Sequence, residues 1–300
     1  MKSAVITGAT GAIGIALINE LIKRDVKVLV IAREGSKRNA SIPKHELVEI
    51  TYCSLDQYGT LLNEDGVQYD TFYHLAWDGT VGADRNNLKK QCDNVKYSID
   101  AVQLAARYGC KTFVGIGSQA EYGRFEGKLT PETRTAPETG YGIAKLCAGQ
   151  MTREQSCFLG LRHIWVRVLS IYGPNDGAQS LVMSTINKMR CGQTVQCTEG
   201  RQVWDYLYSE DAAEALYLLG ASELNRKIYV LGGGIGRPLR QYIEEIRELV
   251  DFDANIEWGA IPYAQNQVMH LEADISSLTN DTGWIPKTEF LDGIKKLVST

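Results

Sequence analysis

The sequence predicts an α/β fold, a doubly wound parallel sheet covered by helices on both faces, followed by a smaller C-terminal lobe. Three observations predict it. Short apolar runs rich in β-branched residues alternate with stretches long enough for a helix through the first half of the chain. Glycines recur at intervals of three directly after the first run, at Gly8, Gly11 and Gly14. Past Ser170 the strict alternation fades, and glycine and proline punctuate a mixed second half that begins at Tyr172-Gly173-Pro174.

The first run, Ala4 to Thr7, reads as a buried strand, and the aliphatics from Ala12 to Leu17 open a helix. A strand that turns sharply into a helix N-terminus leaves backbone N–H groups unpaired under a positive partial charge, which makes a seat for a pyrophosphate. Val26 to Ala32, Leu47 to Tyr52 and Thr71 to Ala76 supply the next three strands. Asn94 to Tyr108 has a helical apolar pattern that stops at Gly109, and Lys111 to Ile116 is a fifth strand. Gly140 to Phe158 reads as a helix and Arg162 to Ser170 as a sixth strand. In the second half, Asp211 to Leu219 is expected to be helical, Lys227 to Leu231 to rejoin the large sheet, and Arg240 to Val250 to be a lobe helix. The expected division is a dinucleotide-binding domain over 1–170, with segments near 205–232 returning to it, and a substrate lobe over 171–300.

Composition narrows the partners. Three hundred residues with 44% hydrophobic and 23% charged side chains suit an ordinary globular chain. A net charge of −4 gives no general attraction to nucleic acid or to an anionic membrane, so any anion must meet a local site. No apolar run approaches the ~20 residues of a membrane span, and the first strand starts without a charged leader; a cytoplasmic location is expected. Seven cysteines form no C-x-x-C pair and four histidines show no ligand spacing, so reduced thiols and no metal are expected.

Three groups of residues carry chemistry. After the second strand come Arg33, then Ser36, Lys37 and Arg38. An arginine there accommodates a ribose 2′-phosphate and favours NADP, whereas Glu34 turned inward would favour NAD. Tyr141 and Lys145 lie four apart on one helical face. A neighbouring ammonium is expected to lower the phenol's pKa and make it a proton carrier. Ser118, at the end of the fifth strand, is placed to bond the reacting oxygen.

Gly8, Gly11 and Gly14, His74-Leu75-Ala76, Asn94-Val95, Ser118 four before Tyr122-Gly123, Tyr141 with Lys145, Tyr172-Gly173-Pro174 and the ending Asp281-Thr282-Gly283-Trp284-Ile285-Pro286 together resemble the extended short-chain dehydrogenase/reductase family. The likeness is to its nucleotide-sugar epimerases, dehydratases and 4-ketoreductases, and it runs over nearly the whole chain. It implies a Rossmann sheet. It also implies that Gly8, Thr10, Gly11, Ala12, Ile13 and Gly14 hold the pyrophosphate, that Leu55 flanks the adenine, and that Leu75 and Ala76 line the nicotinamide side. Ser118, Tyr141 and Lys145 would be the catalytic set, His74 a packed residue, and Asn94 a brace.

The chain departs from the family pattern where a sugar nucleotide would sit. Ser54 stands in place of an acid that reads the adenine amine, with Asp56 just beyond. Ser170 replaces an asparagine, and Trp204 an arginine that grips the diphosphate; Trp204 could stack on a base or pack in the lobe. Arg201, Arg85 and Arg237 are candidates for the missing charge. Because Arg33 points to NADP, the expected activity is reduction of a 4-keto group on a nucleotide-linked deoxysugar. A 4-epimerase with tightly held NAD and a non-catalytic NADP-binding sensor are the alternatives. Dehydration is disfavoured, since Gln119 follows Ser118 and Glu121 alone cannot complete an acidic pair. The resemblance also implies a homodimer through the Asn94 and Tyr141 helices; Val95, Ile99, Val102 and Ala106 fit that face, or packing on the sheet.

Overall fold

A computed structural model describes residues 1–299, so Thr300, the last residue of the expected lobe, lies outside the described residues. Its centre is a seven-stranded sheet built from β1 (Ser3–Thr7), β2 (Lys27–Ala32), β3 (Val48–Tyr52), β4 (Thr71–His74), β5 (Thr112–Ser118), β6 (Arg162–Val168) and β7 (Lys227–Leu231). The strand order is β3-β2-β1-β4-β5-β6-β7, and every neighbouring pair is parallel. The order reverses between β1 and β4, where Thr7 pairs with His74. At such a reversal the loops leave the sheet in opposite directions and open a crevice beyond the strand ends.

Alternating side chains explain why both faces are covered. Ala4 and Ile6 of β1, with Val28 and Val30 of β2, pack beside Leu17, Ile18 and Leu21 of α1 (Ala12–Lys23) and beside Leu216 and Leu219, which lie on a later helix, Ser209–Ala221. Val5, Leu29 and Ile31 point the other way, to Ala101, Val102 and Leu104 of α2 (Leu88–Arg107). On that same side lies α3 (Gly140–Phe158).

The chain departs from expectation in three places. The β2–β3 and β3–β4 crossovers carry only 3₁₀ turns, Lys37–Ser41 and Leu55–Gln57, instead of helices. Both are rich in helix breakers and turn formers, among them Gly35, Pro43, Asn63, Asp65 and Gly66. Helix α2 begins well before Asn94, because the side chain of Asn87 caps it by accepting from the Lys90 N–H; its first turns are polar and gave no apolar stripe. The sixth strand breaks at Leu169, whose N–H donates to Leu231, and Ser170–Tyr172 pairs instead with Tyr206–Tyr208.

In the second half, α4 (Leu181–Arg190), α6 (Leu239–Val250) and a final helix, Phe290–Val298, close around a cluster of Tyr172, Tyr208, Tyr242 and Phe290. The Ser209–Ala221 helix, α5, lies between them in sequence and belongs to the sheet, as does β7. Asp205, fully buried, fastens lobe to sheet by accepting from the N–H groups of Gly233, Gly234 and Ala273. None of the described helices is long and apolar enough to cross a membrane.

Helix α3 sits unusually close to the sheet. Trp165 of β6 is buried and lays its indole flat under Gly149, where a Cβ would come within 2.7 Å of the ring. Only glycine permits that approach. Gly149→Ala is expected to cost about 1–3 kcal/mol of stability by overpacking, seen as a lower thermal midpoint with the far-ultraviolet dichroism of the folded protein unchanged.

Candidate active site

A cavity of about 690 Å³ opens at the β1–β4 reversal, lined among others by Gly8, Thr10, Arg33, Leu55 and Ala76. Its floor is shaped by glycine. Gly8 has φ of +71°, and a Cβ there would lie 2.4 Å from the backbone nitrogen of Ala76. At Gly14 a Cβ would strike the Ala9 carbonyl at 2.5 Å, so this residue lets α1 pack on the loop. At Gly11 a Cβ would meet nothing within 4 Å; the space in front of it is open. Gly11 is also the N-cap of α1, which has neither a capping side chain nor an acid in its first turn. The positive end of the helix therefore faces that space without a counter-charge, and an anionic pyrophosphate fits it.

The predicted cofactor residues separate into two kinds. Gly8, Thr10, Arg33, Leu55 and Ala76 line the cavity, whereas Ala12, Ile13 and Gly14 form the first turn of α1. Ile13 and Leu75 are half-buried and pack against the core of the sheet. At the end of the cavity beneath β2, Arg33, Ser36 and Arg38 line it and Glu34 does not. Arg38, the last of the basic run after β2, donates to the Thr10 carbonyl at 2.8 Å and ties the glycine loop to the β2 end.

Ser118, Tyr141 and Lys145 meet where β5 ends under the first turn of α3. The side chain of Thr139 caps that helix by accepting from the Gly142 N–H at 3.1 Å, which fixes the turn carrying Tyr141. Burial pushes the Tyr141 phenol above its ordinary pKa; the Ser118 hydroxyl and the Arg85 guanidinium pull it back, and Glu121 pushes it further up. Lys145, expected from the sequence to lower this phenol, lies one turn further along the same helix. Its Nζ donates to the Ile116 carbonyl at 2.7 Å and sits 3.8 Å over the Trp77 ring, while the centroid of the Tyr141 ring is 5.9 Å away. Burial brings Lys145 down to about 7, against the opposing pull of Glu121.

The surrounding residues hold this arrangement. His74 is buried between the Thr7 hydroxyl (2.9 Å) and the Ser98 hydroxyl (3.2 Å), and burial lowers its pKa to about 3; it is neutral and packed. Asn94 accepts from the Asp78 N–H and donates to the Asp78 carbonyl. Glu121 is fully buried. It accepts from the Ser118 N–H (2.9 Å), the Trp165 indole (3.0 Å) and Arg167 (2.7 Å). With its oxygens so engaged, it is not available for proton transfer at carbon. Trp77, which follows Ala76 directly, stacks edge-on to Tyr141. Its place at the end of the fourth apolar run was the one sequence signal for it.

Ser170 and Trp204, the positions expected to meet a sugar nucleotide, are bonded to each other, the indole donating to the hydroxyl at 2.7 Å. Arg237 is neutralised by Glu245 (2.6 Å) and Arg201 by Glu199 (3.0 Å). Arg85 has no carboxylate within ion-pair distance among the described residues; it lies 4.4 Å over the face of Tyr141.

Sequence comparison agrees with this geometry. The relatives include CDP-abequose synthase of Salmonella muenchen, 24% identical over 302 residues, covering 99% of this chain and 97% of that protein. They also include dTDP-4-dehydro-6-deoxyglucose reductase of Escherichia coli, 24% identical over 313 residues, 100% of this chain and 97% of that one. The solved UDP-glucose 4-epimerase of Thermotoga maritima superposes with a TM-score of 0.88 at 21% identity, over 99% of this chain and 97% of its own. Residues 4–232 match the NAD dependent epimerase/dehydratase family. With that match, the glycine loop, the parallel sheet and the Tyr141–Lys145 helix, the chain belongs to the NAD-dependent epimerase/dehydratase family of extended short-chain dehydrogenases/reductases.

Proposed function

We propose that this chain reduces the 4-keto group of a nucleotide-linked deoxysugar, with Tyr141 giving the proton. The observation that carries the reading is the cavity end below β2, lined by Arg33, Ser36 and Arg38 and not by Glu34, which suits the NADPH that a reduction consumes. Bound in the crevice, a reduced nicotinamide dinucleotide supplies the hydride taken up by the carbonyl carbon. The carbonyl oxygen receives the Tyr141 proton, and the resulting phenolate is reprotonated from solvent. Ser118 holds the same oxygen in line, and Lys145 keeps its ammonium 5.9 Å from the centroid of the phenol ring. Dehydration is disfavoured because Glu121 is committed to Arg167 and Trp165. The reductase from Escherichia coli among the full-length relatives supports the choice. The solved 4-epimerase favours the second reading, in which hydride leaves and returns to the same sugar.

The cofactor under this proposal is NADPH, since Arg33 and Arg38 reach the ribose end of the cavity and Glu34 does not. Residues 1–170 with 205–232 hold the dinucleotide, and the rest of 171–300 receives the sugar nucleotide. The protein is further proposed to be a homodimer. On the outer face of α3, Ile143 and Met151 are exposed at 55% and 49% with exposed Cys147 between them, an apolar stripe at helical spacing. Of the four residues expected on α2, Val102 is buried in the sheet core and Ala106 packs against it, so α3 carries more of this face.

Turnover of a panel of 4-keto nucleotide sugars, followed by NADPH oxidation, is expected to show activity that Tyr141→Phe lowers by about 10²–10⁴-fold. Wild-type rate is expected to hold through neutral pH and fall as pH rises through the phenol's raised pKa, because the protonated form is the donor. Conversion of a 4-hydroxy sugar to its epimer with no net cofactor oxidised would replace the reductase by the epimerase. Arg33→Ala with Arg38→Ala is expected to weaken NADPH binding at least about tenfold relative to NADH, read by calorimetry; an unchanged ratio refutes the NADP choice. Ile143→Glu with Met151→Glu is expected to convert a dimer to a monomer in sedimentation velocity.

A further inference from the structure

We propose that the chain carries a second ligand site beside the edge strand β3, separate from the dinucleotide crevice, and that it takes a linear aliphatic polyamine, a chain of ammonium groups spaced by methylenes. The site is a cavity of about 760 Å³ between the sheet edge and the segment that follows β3. That volume is typical of a small-molecule site. Cys53 is the one residue that borders both this cavity and the crevice.

The cavity exists because the β3–β4 crossover forms no helix. Leu29 of β2 points to the α2 face, and its partner on β3 in the parallel register is Glu49, so Glu49 stands on that same face. In a doubly wound sheet a helix covers such a position and an apolar side chain fills it. Here the chain supplies only the Leu55–Gln57 turn, and a carboxylate borders the gap. The far wall is held in place. The Asn63 side chain donates to the Val67 carbonyl at 2.9 Å and to the Arg107 carbonyl at 3.2 Å, and the Tyr69 N–H donates to the Tyr108 carbonyl at 2.9 Å.

The lining carries charge of one sign. Glu49, Glu64 and Asp65 border the cavity and no lysine, arginine or histidine does; none of the three acids makes an ion pair or a side-chain hydrogen bond among the described residues. Acids alone would be solvated surface. The second observation is at the floor, where Tyr69 and Tyr108 line the cavity at 8% and 5% exposure and neither hydroxyl has a hydrogen-bond partner among the described residues. Buried phenols ordinarily find one. These two oxygens are not sealed in the interior, as the unpartnered Ser156 hydroxyl is; they open on the cavity. Burial, then Glu49 and more weakly Asp65, push the Tyr69 phenol up to about 12, so acids and phenols share one space.

A cation bearing N–H groups answers both features. Its hydrogens go to the carboxylates and the phenol oxygens, and its methylenes lie along the exposed Tyr52 and Leu62. Charge spread along a chain suits acids drawn from a strand and from a loop, whereas a metal ion would leave the apolar wall unused.

Calorimetric titration of the full-length protein with spermidine is the test; no turnover is measured, so the outcome is independent of the reductase reading. Saturable binding at a single site is expected. Glu49→Gln with Asp65→Asn is expected to weaken it at least about tenfold, and Tyr69→Phe with Tyr108→Phe, which removes the hydroxyls and no charge, by about three- to tenfold. If the double phenol variant does not fold, Tyr69→Phe alone serves, with a loss of about threefold. The absence of saturable binding by the wild type overturns the proposal, as does an unchanged affinity in the carboxylate variant. A loss in the carboxylate variant with none in a folded phenol variant assigns the affinity to diffuse surface charge and overturns it equally.

Discussion

The active corner of this molecule depends on one buried carboxylate. Glu121 receives the Ser118 N–H, the Trp165 indole and the Arg167 guanidinium, and so joins the tip of β5 to the neighbouring strand β6. Trp165, held flat by that bond, is the ledge on which Gly149 of α3 rests. The position of Ser118 and the height of the helix carrying Tyr141 are thus set by the same group. Removing one partner of such a pair leaves an uncompensated charge in a low-dielectric interior, at a cost of about 3–5 kcal/mol. The same engagement takes Glu121 out of acid–base chemistry, so its structural role and the case against dehydration have one cause.

A second consequence of close packing is the cover over Tyr141. Trp77 stands edge-on to the phenol ring, and Arg85 lies across its face. Both belong to a segment that leaves β4 at His74 and is pinned by Asn94 and Gln91 before α2 begins. The ring is shielded by residues from outside the strand–helix core. In the lobe, Arg237 and Arg201 are already paired with acids, and Ser170 and Trp204 satisfy each other.

Much of this was legible in the sequence, because the features that carry it are local. The glycine loop needs a strand before it and a helix after it, and both are visible in the residue pattern around Gly8 and Gly14. The bounds of the helix from Gly140 to Phe158 are visible too, since Thr139 caps it and Gly160 follows it. Less local features were not legible. The β2–β3 and β3–β4 crossovers were long enough for helices, but length does not reveal that turn formers would leave only 3₁₀ turns. The start of α2 is polar, so no apolar period marks it. The direction of the Lys145 ammonium is set by the Ile116 carbonyl and the Trp77 ring, partners distant in sequence. Spacing places two side chains on one face; it does not say which way the longer one turns.

Burial leaves Lys145 with a pKa of about 7, so near neutrality the ammonium and the free amine are both populated. A polyanion entering the crevice favours the charged form, and the extra proton comes from the buffer. A dinucleotide held beside Lys145 would then be linked to proton uptake, its affinity rising as the medium becomes more acidic through neutrality. The enthalpy measured in calorimetry accordingly carries the ionisation heat of whatever buffer is chosen.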